Sequence, residues 1–332
     1  MLDLFDNNAE QYDNLKESLE DINDHFILDE YLAFLRTNEL VVEIDADEIV
    51  LFPEISIQWD YPAHIVSAII EICSSNLFYL KEMISQLEDL LCHSLMLNVF
   101  VDSDGFDYEL LKNLLKDSSF ESICIDVTYA DDKQTERINS WRCLQNSCPQ
   151  ITHLNVSDHN IHQNKSKKPM NITCSNRDFH CDTSFTINLP FFTESQCHNT
   201  CLNRKICIDA EGNIKNCPAM AKNYGNIKDT PLEEAINKPG FKDLWYICKD
   251  QIDVCKDCEF RHLCTDCRAF IKDPENIYSQ PAKCTYNPYI CLWEGQDGYV
   301  PVEECGTYSR KTGFVPDSQK IERLKRVIWN EV

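Results

Sequence analysis

Four cysteines lie within thirteen residues in the segment CKDCEFRHLCTDC, residues 255–267. Their spacing, C-x2-C-x5-C-x2-C, is typical of three kinds of thiol chemistry. Zinc sites use C-x2-C pairs, although four-cysteine zinc ribbons usually separate the pairs by roughly 12–20 residues. Disulfides are the second option. Iron–sulfur clusters are the third, because closely spaced thiolates hold them and one cysteine of a run often binds a different cluster.

The composition bears on the choice among these three. The chain has 19 cysteines in 332 residues and a formal net charge of −24. Residues 1–20 lack the basic start and apolar stretch of a signal peptide, and no run reaches the roughly 18 apolar residues of a membrane span. We therefore expect a cytoplasmic protein with reduced thiols, which weakens the disulfide option. Nucleic-acid binding is not expected either, because clustered Lys and Arg side chains are missing.

Further residues extend the pattern on both sides of this segment. Ten residues separate Cys201 from Gly212, four separate Gly212 from Cys217, and sixteen separate Cys267 from Cys284. The AEGN turn around Gly212 predicts a hairpin, which would bring Cys201 and Cys217 within reach of a common centre. The whole pattern is C-x10-G-x4-C, a gap, and then C-x2-C-x5-C-x2-C-x16-C.

The elements that must position these cysteines follow from hydrophobic periodicity. Residues 61–170 alternate apolar strands with amphipathic helices, which predicts right-handed crossovers and a parallel sheet, open or closed into a partial barrel. The strands are IVSAIIEI, SLMLNVFV, ESICIDVTY and ITHLNVS, and the helices lie at about 77–91, 107–116 and 132–145. The polar stretch DHNIHQNKSKKPMNI, residues 158–172, reads as a linker.

Two short regions outside the sheet are also predicted. Before it, helical stripes in residues 9–22 and 27–35 precede the strand-like LVVEI, which predicts a small helix–helix–strand module over residues 1–60. The second stripe contains Ile27, Tyr31 and Phe34. After the hairpin, a helix is predicted with Thr230 as its N-cap and Pro231 at its first position.

The order of seven cysteines and one glycine resembles the SPASM domain that is appended to many radical-SAM peptide maturases. The YGNI stretch at residues 224–227 also matches, whereas the family commonly has three residues, not two, between Cys264 and Cys267. The resemblance implies two auxiliary 4Fe–4S clusters, with zinc as the fallback. The implied ligands are Cys255, Cys258, Cys264 and Cys284 for one cluster, and Cys201, Cys217, Cys267 and Cys181, or alternatively Cys197, for the other.

Longer stretches resemble a narrower family, the grasp-with-spasm system SPASM-domain peptide maturases. These stretches are FTESQCHNTCLNRK, IDAEGNIKNCP, GNIKDTPLEEA, VCKDCEFRHLCTDCRAF and KCTYNPY. The family occurs in bacterial gene clusters beside an ATP-grasp peptide ligase and a ribosomally made precursor peptide, so the resemblance implies both as partners. It also implies a SPASM iron–sulfur domain over residues 171–305 and a C-terminal helical tail over 306–332. Residues 1–60 would be the remnant of a winged-helix-like leader-binding module or a helical cap.

The residues that bind S-adenosylmethionine (SAM) in radical-SAM enzymes are missing. Their C-x3-C-x2-C triplet should follow the first strand, where this chain has CSSNLFYL with Cys73 alone, and VDSDG replaces the usual Gly-Gly-Glu stretch. The expected fold class is therefore α/β, a partial, degenerate radical-SAM-like parallel barrel followed by a cysteine-rich SPASM domain of short hairpins and helices. We expect no SAM cofactor and predict no catalytic residues.

Three functions are compatible with these residues. The first is a SPASM-domain iron–sulfur protein that takes part in maturing a ribosomally synthesised peptide together with the ligase. The second is a redox enzyme or electron relay in peptide modification. The third is a zinc-binding interaction module.

Overall fold

The structure is a computed structural model that describes residues 12–19, 22–45, 47–51, 56–101, 106–129, 134–158 and 185–329. The chain divides into two compact units, residues 1–57 and residues 58–332. Among the described residues, no helix combines the length and the apolar character that crossing a membrane requires.

The first unit contains two helices, α1 (Tyr12–Glu17) and α2 (Ile22–Thr37). Leu15, Leu28 and Leu32 are buried together. The predicted second stripe is on the wrong face, because Ile27, Tyr31 and Phe34 are exposed. The strand predicted at LVVEI is also wrong, since residues 41–45 are irregular. A strand needs a partner for its backbone hydrogen bonds, and the described part of this unit contains no second strand.

The second unit is built on a six-stranded, mainly parallel sheet, which confirms the predicted α/β class. Its parallel strands are β1 (Ser67–Cys73), β2 (Ser94–Val101), β3 (Ser122–Tyr129), β4 (Ile151–Asp158) and β5 (Lys205–Ile208), and β6 (Ile214–Lys215) pairs antiparallel with β5. The strand order is β4-β3-β2-β1-β5-β6. The described strands thus form an open sheet, and its assignment to a radical-SAM-like barrel stays a prediction.

Three helices connect the first four strands. They are α3 (Leu80–Asp89), α4 (Tyr108–Lys116) and α5 (Gln134–Ser147). Each strand begins and ends within two residues of its predicted bounds, because its buried positions carry apolar and β-branched side chains that mark a strand in the sequence. Trp141 of α5 is fully buried, and its Nε1 donates a hydrogen bond to the Tyr129 hydroxyl over 2.7 Å.

Strand β5 joins the cysteine-rich part of the chain to this sheet. It lies parallel to β1, with Ser67 opposite Lys205 and Ile70 opposite Ile208. The predicted hairpin is confirmed, because β5 turns through Gly212 into β6. The two strands that carry Cys201 and Cys217 on their flanks are therefore fixed against the core of the unit.

Helices α6 (Leu189–Cys197) and α7 (Leu232–Ile236) lie before and after this hairpin. The helix start predicted at Thr230 and Pro231 is one residue early, because α7 begins at Leu232 with Pro231 as its N-cap. The Thr230 hydroxyl donates to Asp229 Oδ1 instead of capping the helix. The Leu232 N–H at the start of α7 donates to Gln86 Oε1 over 2.7 Å. A tertiary partner thus replaces the local cap.

The C-terminal region is not wholly helical, contrary to the predicted tail over residues 306–332. It contains the hairpins β7 (Tyr286–Asn287) with β8 (Leu292–Trp293) and β9 (Gly306–Ser309) with β10 (Gly313–Pro316), followed by helix α8 (Ser318–Ile328). Pairing of β9 with β10 buries Phe314 in a small apolar cluster with Val302 and Cys305. This burial explains why the segment before α8 is extended.

The glycine of the sequence signature occupies a position that other residues fit poorly. Gly212 has φ +87°, and a Cβ added there would lie 3.0 Å from both Asn226 Oδ1 and Ile227 Cγ2. Gly295 has nearly the same conformation, φ +91°, but nothing lies within 4 Å of its Cβ position. Alanine substitutions at the two glycines therefore distinguish the effect of backbone strain from that of side-chain crowding.

We expect Gly212→Ala to lower the free energy of unfolding by about 2–4 kcal/mol, since it adds crowding to left-handed strain. Gly295→Ala should lower the free energy of unfolding by about 1–2 kcal/mol, because it adds backbone strain alone. Chemical denaturation of both variants at equal iron content measures the difference. Equal losses would show that the contacts of Asn226 and Ile227 do not restrict residue 212.

Candidate metal centre

The structure brings together the four cysteines that the family resemblance implies as ligands of the first cluster. Cys255, Cys258, Cys264 and Cys284 all line one cavity in the second unit. Cys255 is buried and the other three are half-buried. Residues up to 29 positions apart in the chain thus present their side chains to the same space.

Tight turns hold these cysteines in place. A short 3-10 helix covers Cys255–Asp257, and the Cys258 N–H donates to the Cys255 carbonyl over 3.0 Å. The Cys264 N–H donates to the Phe260 carbonyl over 3.0 Å. With only two or five residues between the cysteines, such turns let successive side chains point to one side. The C-x2-C-x5-C part of the sequence pattern therefore corresponds to consecutive tight turns of the backbone.

Aromatic side chains cover the same cavity. Phe185, Phe260, Tyr286 and Trp293 line it, and their rings contact one another, with centroids 4.8 Å apart for Phe185 and Phe260 and 4.7 Å apart for Tyr286 and Trp293. The Tyr286 hydroxyl donates to Glu259 Oε1. An apolar wall of this kind limits water access and lowers the local dielectric, and both influence the chemistry of a bound metal group.

Lys249 places a positive charge beside the thiols. Its side chain is only 6% exposed, and its Nζ lies 3.5 Å from Cys264 Sγ and 3.9 Å from Cys255 Sγ. Asp266 Oδ1 is 3.7 Å from the same nitrogen. Burial by itself lowers the pKa of Lys249, but the negative charges of the ionised Cys255 and Cys264 sulfurs and of Asp266 outweigh it and hold the pKa well above its ordinary value. The lysine therefore carries its charge at neutral pH.

Asp266 is the centre of a buried ion network. It is 1% exposed and accepts a hydrogen bond from Arg268 Nη2 over 2.7 Å and another from Asn199 Nδ2 over 2.6 Å. Arg268 Nε also lies 2.6 Å from Asp266 Oδ2, a close ion pair whose angle is not that of a hydrogen bond. Lys249, Asp266 and Arg268 thus satisfy one another in the protein interior, where an unpaired charge is very costly.

The same network connects two cysteines of the second predicted cluster. The Asp266 N–H donates to Thr200 Oγ1 over 3.4 Å, and Asn199 bonds to the Asp266 carboxylate. Cys201 and Cys267 each directly follow one of these hydrogen-bonded residues in the chain. Their backbones are therefore held side by side.

Cys217 is tied to the same region through Trp245. The Trp245 Nε1 donates to Asn216 Oδ1 over 2.9 Å, and the Trp245 carbonyl accepts from the Asn199 N–H over 2.8 Å. Cys217 is buried in the core of the unit and Cys201 packs against that core. Hydrogen-bonded neighbours thus link the segments that carry Cys201, Cys217 and Cys267.

The fourth ligand of the second cluster remains a prediction. Cys181 lies outside the residues that the structure describes. The alternative, Cys197, ends helix α6 and is exposed.

The thiols are not arranged around a single ion. Within the described ranges, no three His, Cys, Asp or Glu side chains form a group that could hold one metal ion. A tetrahedral zinc ion with Zn–S bonds of about 2.3 Å draws its sulfurs to about 3.8 Å from one another. Thiolates around a four-iron cluster stand further apart, because the iron–sulfide core separates them. A zinc ion at this cavity would therefore need the four sulfurs closer together than a four-iron cluster would.

A cluster at this cavity also requires some rearrangement. The cavity has room for about 30 Å³ of water-sized molecules, about two waters. The cysteine side chains would have to rotate outward around a cluster, which turns of two to five residues permit. The donor set fits, since it supplies four thiols, a buried cation and an apolar cover.

Burial favours the protonated form of three of these thiols. It raises the pKa of Cys255 to about 12 and also raises the pKa values of Cys258 and Cys264 above the ordinary range. Metals bind the thiolate form, so metal binding at this cavity must displace protons. Cluster assembly should therefore become weaker as the pH falls.

The thiol pKa values predict a labelling pattern for iron-depleted protein. At pH 8, iodoacetamide should alkylate Cys255 and Cys258 at least about tenfold more slowly than the exposed Cys143 and Cys291, because their thiolate fractions are far smaller. Mass spectrometry of tryptic peptides measures each rate. Equal rates would contradict the buried placement of the two thiols.

Several of these groups have no counterpart among the residues singled out in the sequence. Lys249, Asp266 and Arg268 were missed, because scattered charges in a polar, turn-rich stretch give no signal of burial. The aromatic residues left a weak signal, since Phe260, Tyr286 and Trp293 all lie within a few residues of cysteines.

Comparison with known proteins adds no relative: no protein-family model, no curated protein and no solved structure matches the chain. The candidate centre therefore rests on this chain's own cysteines and on the groups packed around them.

Proposed function

We propose that this chain is a SPASM-type iron–sulfur protein that takes part in maturing a ribosomally made precursor peptide together with an ATP-grasp ligase. One observation carries the proposal most directly. The four cysteines that the family resemblance implies as ligands of a single cluster line a single cavity. The second group supports it, because its three described segments are also linked to one another.

The segment after β1 supports a role without SAM cleavage. Cys73 ends β1, and its N–H donates to Asn76 Oδ1 over 2.9 Å. Asn76 Nδ2 in turn donates to the carbonyls of Glu71 and Ala210, each over 3.0 Å. An asparagine thus closes the loop where a radical-SAM enzyme has its cysteine triplet. We propose that the chain recognises and presents the peptide, while another protein catalyses its modification.

The clusters would then serve mainly to fix the fold of the cysteine-rich region. Between residues 238 and 305 the regular elements are only two to four residues long. Such a segment has few backbone hydrogen bonds of its own, and metal–thiolate bonds add folding free energy directly. A redox role is the second candidate, and the buried Lys249 ammonium beside the thiols favours it.

Metal analysis of anaerobically expressed protein tests the cofactor. We expect about eight iron and about eight sulfide per chain, with the electron paramagnetic resonance (EPR) signal of reduced 4Fe–4S clusters after dithionite treatment. Stoichiometric zinc without iron would overturn the proposal and leave the zinc-binding interaction module.

Two further measurements test the role. Incubation of the iron-loaded protein with SAM and dithionite should yield no 5′-deoxyadenosine, and its formation would overturn the absence of SAM chemistry. In a host that expresses the proposed partner ligase and its precursor peptide, omission of the chain should abolish the modified peptide in the mass spectrum. Undiminished modification would show that the chain is not needed for maturation.

A further inference from the structure

The Lys249 side chain places a cation directly against two predicted cluster ligands. Its Nζ lies within 3.5–3.9 Å of Cys264 Sγ and Cys255 Sγ, distances at which an ammonium donates hydrogen bonds to sulfur. Asp266 holds the ammonium from the other side. The charged and thiol groups that face it are Asp266, Cys255, Cys264 and Cys284.

A cation at this position acts differently on the two oxidation states of a cluster. A cluster bound by four thiolates is an anion, and reduction adds one more negative charge. Attraction between unlike charges is strong where aromatic side chains exclude water. The ammonium would therefore stabilise the reduced state more than the oxidised state, and hydrogen bonds to the ligand sulfurs act in the same direction.

Other cations near the cavity are directed elsewhere. Arg261 Nε donates to Asp250 Oδ1 over 2.9 Å, and its Nη1 bonds to the Cys258 carbonyl. Arg268 is bound to Asp266 and donates to the carbonyls of Ile277 and Ser279. Lys256 is exposed, although it lies between Cys255 and Cys258 in the sequence. Lys249, in contrast, donates directly to the sulfurs of Cys255 and Cys264.

We propose that Lys249 is a positioning residue that donates N–H···S hydrogen bonds to Cys255 and Cys264 and thereby raises the reduction potential of the cluster they help to hold. The inference rests on the proposed function, because it requires that Cys255, Cys258, Cys264 and Cys284 bind a 4Fe–4S cluster. It goes further in assigning a redox property to one side chain outside the ligand set.

An EPR-monitored redox titration of Lys249→Met tests this inference. At a fixed potential, the ratio of oxidised to reduced cluster should rise at least tenfold, a shift of about 59 mV to more negative values for a one-electron couple. Lys249→Arg, which keeps the charge and N–H donors, should stay closer to the unmodified protein. Lys256→Met is the matched control, since it removes an exposed charge from the same loop and should change the ratio less than about twofold.

The outcomes separate this inference from the proposed function. If the unmodified protein binds no iron, the proposed function fails and the inference fails with it. If Lys249→Met retains its iron and its titration matches that of the unmodified protein, Lys249 does not tune the cluster. If Lys249→Met loses its iron, the iron content and potential of Lys249→Arg decide whether the charge or the packing of Lys249 matters. Iron retention with an unchanged potential supports the charge, whereas equal loss in both variants assigns Lys249 a packing role and overturns the inference.

Discussion

Replacing Cys258 by serine is expected to remove about half of the iron, and replacing Cys267 by serine is expected to remove the other half. The two residues lie in one thirteen-residue segment. Cys258 lines the cavity with Cys255, Cys264 and Cys284. Cys267 instead follows Asp266, whose hydrogen bonds lead towards Cys201. The first three cysteines of the segment should therefore bind one cluster, and the fourth, Cys267, should bind the other.

Iron and sulfide analysis of anaerobically purified variants measures this division. Each single variant should retain about four iron with the EPR signal of one cluster, and the double variant should retain almost none. Cys291→Ser is the matched control, because Cys291 is exposed and lies outside the spacing pattern. If either single variant loses nearly all of its iron, or if both lose the same cluster by EPR, the division of ligands is wrong.

The second large effect is expected from Asp266→Asn, which should lower the free energy of unfolding by at least about 3 kcal/mol. Asparagine keeps the shape of the side chain but removes the negative charge. Arg268 would then be buried without a counter-charge and Lys249 would lose its carboxylate partner, and both side chains are at most 6% exposed. Loss of one member of a buried ion network leaves the desolvation cost of the other members unbalanced.

Thermal denaturation of variants with equal iron content measures this loss. Asp250→Asn is the matched control, since Asp250 pairs with Arg261 near the same cavity but is 43% exposed. Its loss should be below about 1 kcal/mol, because water screens an exposed pair. Similar melting temperatures for the two variants would show that the Asp266 charge does not stabilise the fold.

The sheet was predictable because its signal is local. The strands of the parallel core are rich in apolar and β-branched residues, such as SLMLNVFV for β2, and helices α3 and α4 carry apolar residues at helical spacing. The short strand LVVEI has the same composition but no partner among the described residues of its unit, so it is irregular. Strand formation depends on pairing, which composition does not reveal.

The candidate centre was predictable only in its cysteines. Their spacing places Cys255, Cys258 and Cys264 on neighbouring turns, whereas the family resemblance implied that Cys284 joins them. The structure places all four along one cavity. The surrounding charges depend on contacts across the fold. Asn199 and Asp266 meet although 67 residues separate them, and no local pattern in the sequence marks either as buried.

The position of β5 in the sheet has a consequence for the protein's lifetime in the cell. This strand lies between Cys201 and Cys217 in the chain and is hydrogen-bonded along β1. A metal group that holds both cysteines would also hold β5 in place, so its binding free energy would add to the cooperative stability of the sheet. Iron starvation would then expose the whole second unit to proteases, and degradation would remove copies that had failed to acquire their clusters.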